Sequence, residues 1–119
     1  MLALSASCRY FLYRPPADMR RGIYSLAGLV RQELAQDPLS GDVFIFIGKR
    51  ANQLRLLQWD RDGFALYCKR LERGTFQRPT TASHQLTDQE LMLILRGIQL
   101  ESVKLRPRYA PPPPVASAK

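Results

Sequence analysis

Residues 43–47 read Val-Phe-Ile-Phe-Ile, apolar at every position and wholly β-branched or aromatic. A strand with one wet face alternates, whereas an unbroken run of this kind suits a strand covered on both faces, so this segment predicts the central strand of a sheet. Further on, Gln53 to Trp59 and Phe64 to Leu71 flank Asp60-Arg61-Asp62-Gly63. The Asp-Gly pair tolerates positive φ and closes tight hairpins, so these two runs predict antiparallel neighbours and, with the central strand, a three-stranded meander. Pairing parity then sorts the side chains. One face carries Arg55, Leu57, Trp59, Phe64, Leu66, Cys68 and Arg70; the other carries Leu54, Leu56, Gln58, Ala65, Tyr67, Lys69 and Leu71.

A different period governs the segment before the central strand. Ile23, Leu26, Ala27, Val30 and Leu34 fall on one stripe of a helix predicted over about Met19 to Ala35, with Asp18 placed as N-cap and Asp37-Pro38 ending it. Ahead of it, Arg9 to Tyr13 is β-rich and predicts a short strand stopped by Pro15-Pro16, which fix φ and lack amide donors. Thr75 to Gln85 has no periodicity and reads as loop. Thr87-Asp88-Gln89-Glu90 forms a capping box before Leu91, Ile94 and Leu95, predicting a second helix over about Asp88 to Arg96. The expected fold is therefore α+β: a small antiparallel meander sheet of three to four strands packed on one long and one short helix. Two such helices cover one face well but hardly both, so part of the second face is expected to meet another chain or a ligand.

Length allows one domain: 119 residues bury a single core. Residues 1–8 read as a loose N-terminus, 9–105 as the domain, and 106–119, with four consecutive prolines, as a basic, polyproline-prone tail expected to be disordered in isolation. The N-terminus lacks the charged region and apolar length of a signal peptide, and no run approaches a membrane span, which favours a cytoplasmic protein with no membrane partner. Cys8 and Cys68 then read as free thiols.

Charge alters the picture. Eighteen Lys and Arg against ten Asp and Glu give a net charge of +8, which attracts polyanions at long range. Eight of those cations lie between Lys49 and Arg78 against three acids, so the meander segment is the charged one. Lys49, Arg50, Arg55, Lys69, Arg70 and Arg73 are expected to contact phosphates. Arg55 and Arg70 share a face of adjacent strands, where like charges repel unless an anion lies between them. Arg20 and Arg21, at the start of the long helix, oppose its dipole and read as ligand-facing or paired with Asp18. Trp59 and Phe64 are placed to stack on bases or to pack as a hairpin pair, and Phe46 is assigned to an interface.

Catalysis finds little to work with. His84, the single histidine, sits in a polar loop away from other ligand types. Asp60, Asp62 and Glu72 are conceivable carboxylates of a metal-dependent nuclease, but the two aspartates are better explained as turn residues. No glycine-rich phosphate loop occurs, and neither a cofactor nor a resident metal is expected.

Taken in order, Asp18-Met19-Arg20-Arg21-Gly22, Leu26-Ala27-Gly28-Leu29-Val30, Asp37-Pro38-Leu39-Ser40-Gly41, Phe44-Ile45-Phe46, Leu56 to Phe64 and Lys69 to Phe76 resemble the TnpB accessory protein of the insertion-sequence-66 family of bacterial transposons. The resemblance covers roughly Arg9 to Leu100. It implies a non-enzymatic protein encoded beside a separate, larger transposase and needed for efficient movement of the element, with DNA, the element ends in particular, and that transposase as partners. The alternative function is a protein-interaction module that docks on the transposase or self-associates through the apolar second face.

Overall fold

The structure, a computed structural model, describes residues 7–79 and 84–96. Its elements are β1 (Tyr10–Ala17), α1 (Ile23–Glu33), β2 (Val43–Gly48), β3 (Gln53–Asp60), β4 (Gly63–Arg70), β5 (Gln85–Leu86) and α2 (Asp88–Arg96). The five strands form one sheet in the order β4-β3-β2-β1-β5. β1 and β2 run parallel, joined by α1 as a crossover, and every other pairing is antiparallel. The class is α+β as expected, but the sheet is mixed and has five strands where a purely antiparallel meander of three or four was anticipated.

β2 lies at the centre, buried at all six positions. Its odd residues, Val43, Ile45 and Ile47, join Tyr10, Leu12, Leu54 and Leu56 under Leu91 and Ile94 of α2 and under Leu71 and Phe76. Its even residues, Phe44 and Phe46, join Phe11 and Leu57 beneath the Leu26, Ala27, Val30 and Leu34 stripe of α1. Two aromatic neighbours in register, Phe11 on Phe44 and Tyr13 on Phe46, each at 5.7 Å between centroids, lock β1 to β2 on this side. The helices thus take opposite faces, making three layers, and the second face is already occupied over β1, β2 and β3. What stays open is its margin on β4, where Tyr67 and Lys69 are exposed.

Several boundaries differ from expectation for local reasons. β1 continues through Pro15 and Pro16 to Ala17, because the register with β2 slips by two residues between Tyr13 and Ala17 and the extra residues absorb the missing donors. α1 starts at Ile23 with Gly22 as N-cap and no side-chain cap. Asp18 instead closes a turn of its own, accepting from the Arg20 amide at 2.9 Å while its carbonyl accepts from the Arg21 amide at 3.1 Å. The segment read as loop ends in β5, whose two residues pair with Tyr10 and Phe11; two residues carry no alternation to detect. The capping box forms as anticipated, Thr87 Oγ1 accepting from the Glu90 amide at 3.0 Å and Glu90 Oε1 from the Thr87 amide at 2.9 Å. Residues 1–6 and the tail at 106–119 lie outside the described residues.

At the opposite end of the sheet from the β2–β3 loop, Asp42 ties the starts of β1 and β2 together. It accepts from the Arg9 amide (3.0 Å), Arg9 Nε (3.1 Å), Arg9 Nη2 (2.8 Å) and the Ser40 hydroxyl (3.1 Å). Burial alone would raise its carboxyl; those bonds outweigh burial and hold it below the usual range.

Candidate nucleic-acid interface

The carboxyl ends of the parallel strands β1 and β2 open into a cleft of about 680 Å3 lined by residues 16–20, 48–50, 52, 53 and 70. Its shape follows from local chain chemistry. Gly48 lets the Met19 side chain lie across the end of β2, since a Cβ there would stand 2.9 Å from Met19 Cγ. The β2–β3 loop turns by a bond from the Ala51 amide to the Gly48 carbonyl (2.9 Å), with Ala51 at φ 59°, and this turn carries Lys49 and Arg50 outward, both exposed. Arg78 anchors the floor. Its Nη2 donates to the Ile47 and Gly48 carbonyls at 3.1 and 2.6 Å, and burial pulls its guanidinium below the ordinary value. Arg78 is therefore a structural cation.

Two smaller hollows adjoin the cleft. One, about 210 Å3, lies among Met19, Arg55, Cys68, Lys69 and Arg70; the other, about 420 Å3, is bounded by residues 69–73, Leu95 and Arg96. Arg70 lines all three. Lys49, Arg50, Lys69, Arg70 and Arg73 are exposed around them, and among the described residues none has a carboxylate within ion-pair distance. Apart from Arg61, in the β3–β4 turn, the positive charge of the meander is thus gathered toward one end of the sheet.

Other residues singled out in the sequence stand differently. Arg20 is paired with Asp18 through Nε and Nη2, both at 3.0 Å; its side chain and amide bring the Asp18 carboxyl down to about 2. Arg21 donates to Ser25 Oγ. Arg55 lies opposite Cys68, and Arg70 opposite Gln53, so the two arginines are diagonal neighbours on one face. Arg55 Nη1 donates to the Arg21 carbonyl at 2.7 Å. Arg55 positions the approach to α1.

Phe46 is corrected outright: at 0 % exposure inside the α1-side core, it meets no partner molecule. Trp59 and Phe64 sit opposite one another, half-buried, with ring centroids 5.1 Å apart at 81°. The imagined carboxylate set is also dispersed. Asp60 and Asp62 are at the β3–β4 turn while Glu72 follows the far end of β4, roughly 25 Å away along the strand. His84 is exposed, and among the described residues no group of three or more His, Cys, Asp or Glu stands close enough to hold a metal ion. No helix among them is long and apolar enough to cross a membrane.

Tyr24, absent from the sequence-derived site, is 83 % exposed on the first turn of α1. Its ring meets Phe64 edge-on at 6.2 Å. The readable signal was an aromatic residue lying off the buried helical stripe.

Two relatives align over most of their length. The uncharacterized protein y4jC of Sinorhizobium fredii is 35% identical over 113 residues, covering 93% of this chain and 97% of its own. Protein y4hO of the same organism is 33% identical over 100 residues, 82% and 87% of the two chains. No solved structure matches. The model of the IS66 Orf2-like proteins spans residues 8–105, from just before β1 to beyond α2, and the chain accordingly belongs to this TnpB family of transposition-associated proteins.

Proposed function

We propose that this chain is a non-enzymatic accessory factor of transposition that holds DNA by its phosphates at the cation-lined end of the sheet, beside a separate transposase. The observation that carries the reading is the meeting of three hollows at Arg70, ringed by Lys49, Arg50, Lys69 and Arg73 with no carboxylate in ion-pair range among the described residues. Exposed cations so concentrated repel one another, and a phosphate backbone relieves that repulsion while releasing condensed counterions.

Five such cations set an expected slope of roughly −4.5 in log affinity against log salt on duplex DNA, at about −0.9 per phosphate neutralised. Gel-shift titrations of element ends and random duplex across a salt series measure it. Replacing Lys49, Arg50 and Arg70 together by alanine should flatten the slope by roughly 2–3. Salt-independent retention, or a triple variant with the parental slope, refutes the reading.

A second reading is favoured by one feature. β4 ends the sheet, so among the described residues its outer edge has no neighbouring strand over eight residues, and Tyr67 beside that edge is 39 % exposed. Such an edge accepts a strand from another chain. If the chain works by docking on the transposase or on itself, Ala65→Lys with Tyr67→Lys abolishes co-purification with the transposase, or the dimer in light scattering, and leaves the salt slope of DNA binding unchanged.

A further inference from the structure

Tyr24, Phe64 and Trp59 come from three elements, α1, β4 and β3, and their rings touch in series: Tyr24 to Phe64 at 6.2 Å, Phe64 to Trp59 at 5.1 Å, each crossing at 81°. The ridge they form reaches solvent through Tyr24, 83 % of whose surface is open. Tyr24 lies off the buried stripe of α1, which runs through Leu26, Ala27, Leu29 and Val30, and its one aromatic contact leaves most of the ring open.

The ridge also has a connection to the basic cleft. On the α1 side of the sheet β4 presents Arg70, Cys68, Leu66 and Phe64 in succession, because alternate residues share a face. Arg70 lines the cleft and Phe64 belongs to the ridge, so a track of roughly 20 Å joins them. Arg21 flanks the track from the approach to α1, held there by the Arg55 bond to its carbonyl.

Cations at one end and an aromatic ridge that opens to solvent through Tyr24 at the other match the two chemistries of a strand a few nucleotides long, its phosphates and its bases. In a duplex the bases are stacked on one another and offer no face to a protein ring; in an unpaired strand they do, and stacking on aromatic side chains is tolerant of sequence. We propose that the Tyr24–Phe64–Trp59 ridge is a base-stacking platform for unpaired DNA, continuous with the phosphate-binding cleft. This deepens the phosphate-contact reading and rests on it. The ligand class is single-stranded DNA of a few nucleotides, the form exposed when a transposon end is opened.

Trp59 is the only tryptophan, so its fluorescence reports on the ridge directly. Full-length protein is titrated with oligo(dT) and, separately, with a random duplex at one salt concentration, following Trp59 emission and fluorescence anisotropy of labelled DNA. Oligo(dT) is expected to quench Trp59. Tyr24→Ala, at an exposed position, is expected to weaken oligo(dT) binding roughly five- to 150-fold and duplex binding less than twofold, with Tyr24→Phe restoring the former. Equal losses on both ligands, or oligo(dT) binding indifferent to Tyr24→Ala while the duplex keeps its salt slope, overturns the platform and leaves the phosphate reading standing. Failure of both ligands to bind overturns the two together.

Discussion

Replacing Asp42 by alanine tests whether one carboxylate fastens the two parallel strands. Four donors converge on it, and their fates differ once it is gone. The Arg9 side chain, 55 % exposed, returns to water, so its two bonds contribute little net, as for most exposed pairs. The Arg9 amide, at the start of β1, loses an ionised acceptor beside a strand already packed on both faces, and a hydrogen bond to a charged partner is worth about 1.5–3 kcal/mol. Loss of the Ser40 bond adds about 0.5–1 kcal/mol. The expected cost is therefore about 2–4 kcal/mol, which at an m-value of roughly 1.5–2 kcal/mol per molar lowers the urea midpoint by about 1–2.7 M. Asp42→Asn retains an acceptor for the amide and should lose only about half as much. The pH dependence has a definite sign. Because the folded-state pKa is depressed, the carboxylate's contribution is complete above its unfolded pKa of about 3.9 and disappears as pH falls through the folded value. Wild type and Asp42→Asn should thus differ at pH 7 and converge towards pH 3 and below. A loss under 0.5 kcal/mol for Asp42→Ala, or a gap from Asn that persists undiminished into acid, would refute the reasoning.

Arg61 occupies the β3–β4 turn at φ 59° with the Asp62 amide bonded to the Asp60 carbonyl at 2.6 Å; Arg61→Gly should stabilise the chain by about 0.5–1 kcal/mol in urea denaturation, since a side chain is strained there. Thr87→Ala removes the reciprocal cap of α2 and should cost about 1 kcal/mol, with hydrogen exchange accelerating in the last helix. Arg78→Met strips the ends of β2 of two carbonyl partners and should cost about 2–3 kcal/mol. It should also raise proteolytic cleavage after Lys49 and Arg50, because the loop they occupy loses its floor.

Much of the architecture was readable because side-chain periodicity reports directly on burial. The unbroken apolar run at residues 43–47 placed β2 at the centre, and the parity of the β3–β4 hairpin assigned both faces correctly. What escaped was set by partners distant in sequence. β1 extends through two prolines because a register slip against β2 accommodates them, and β5 exists only because Tyr10 and Phe11 offer it an edge. The site divides in the same way. That cations cluster between Lys49 and Arg73 is composition, visible in the chain. That Arg78 instead caps carbonyls, Arg55 holds a loop and Phe46 is sealed in the core depends on where strands end in space. Tyr24 was missed because a surface aromatic means nothing until its neighbour on β4 is known.

The opposite placement of the two helices has a consequence for biogenesis. The ribosome delivers β1, α1 and β2 early, and one side of the sheet is roofed as soon as the crossover closes. The other side waits for residues 85–96, nearly the last of the family-matched segment. Until they emerge, Tyr10, Leu12, Ile45 and Leu56 face water, and any truncation before that point releases a greasy half-finished slab that neighbouring nascent chains or chaperones would seize.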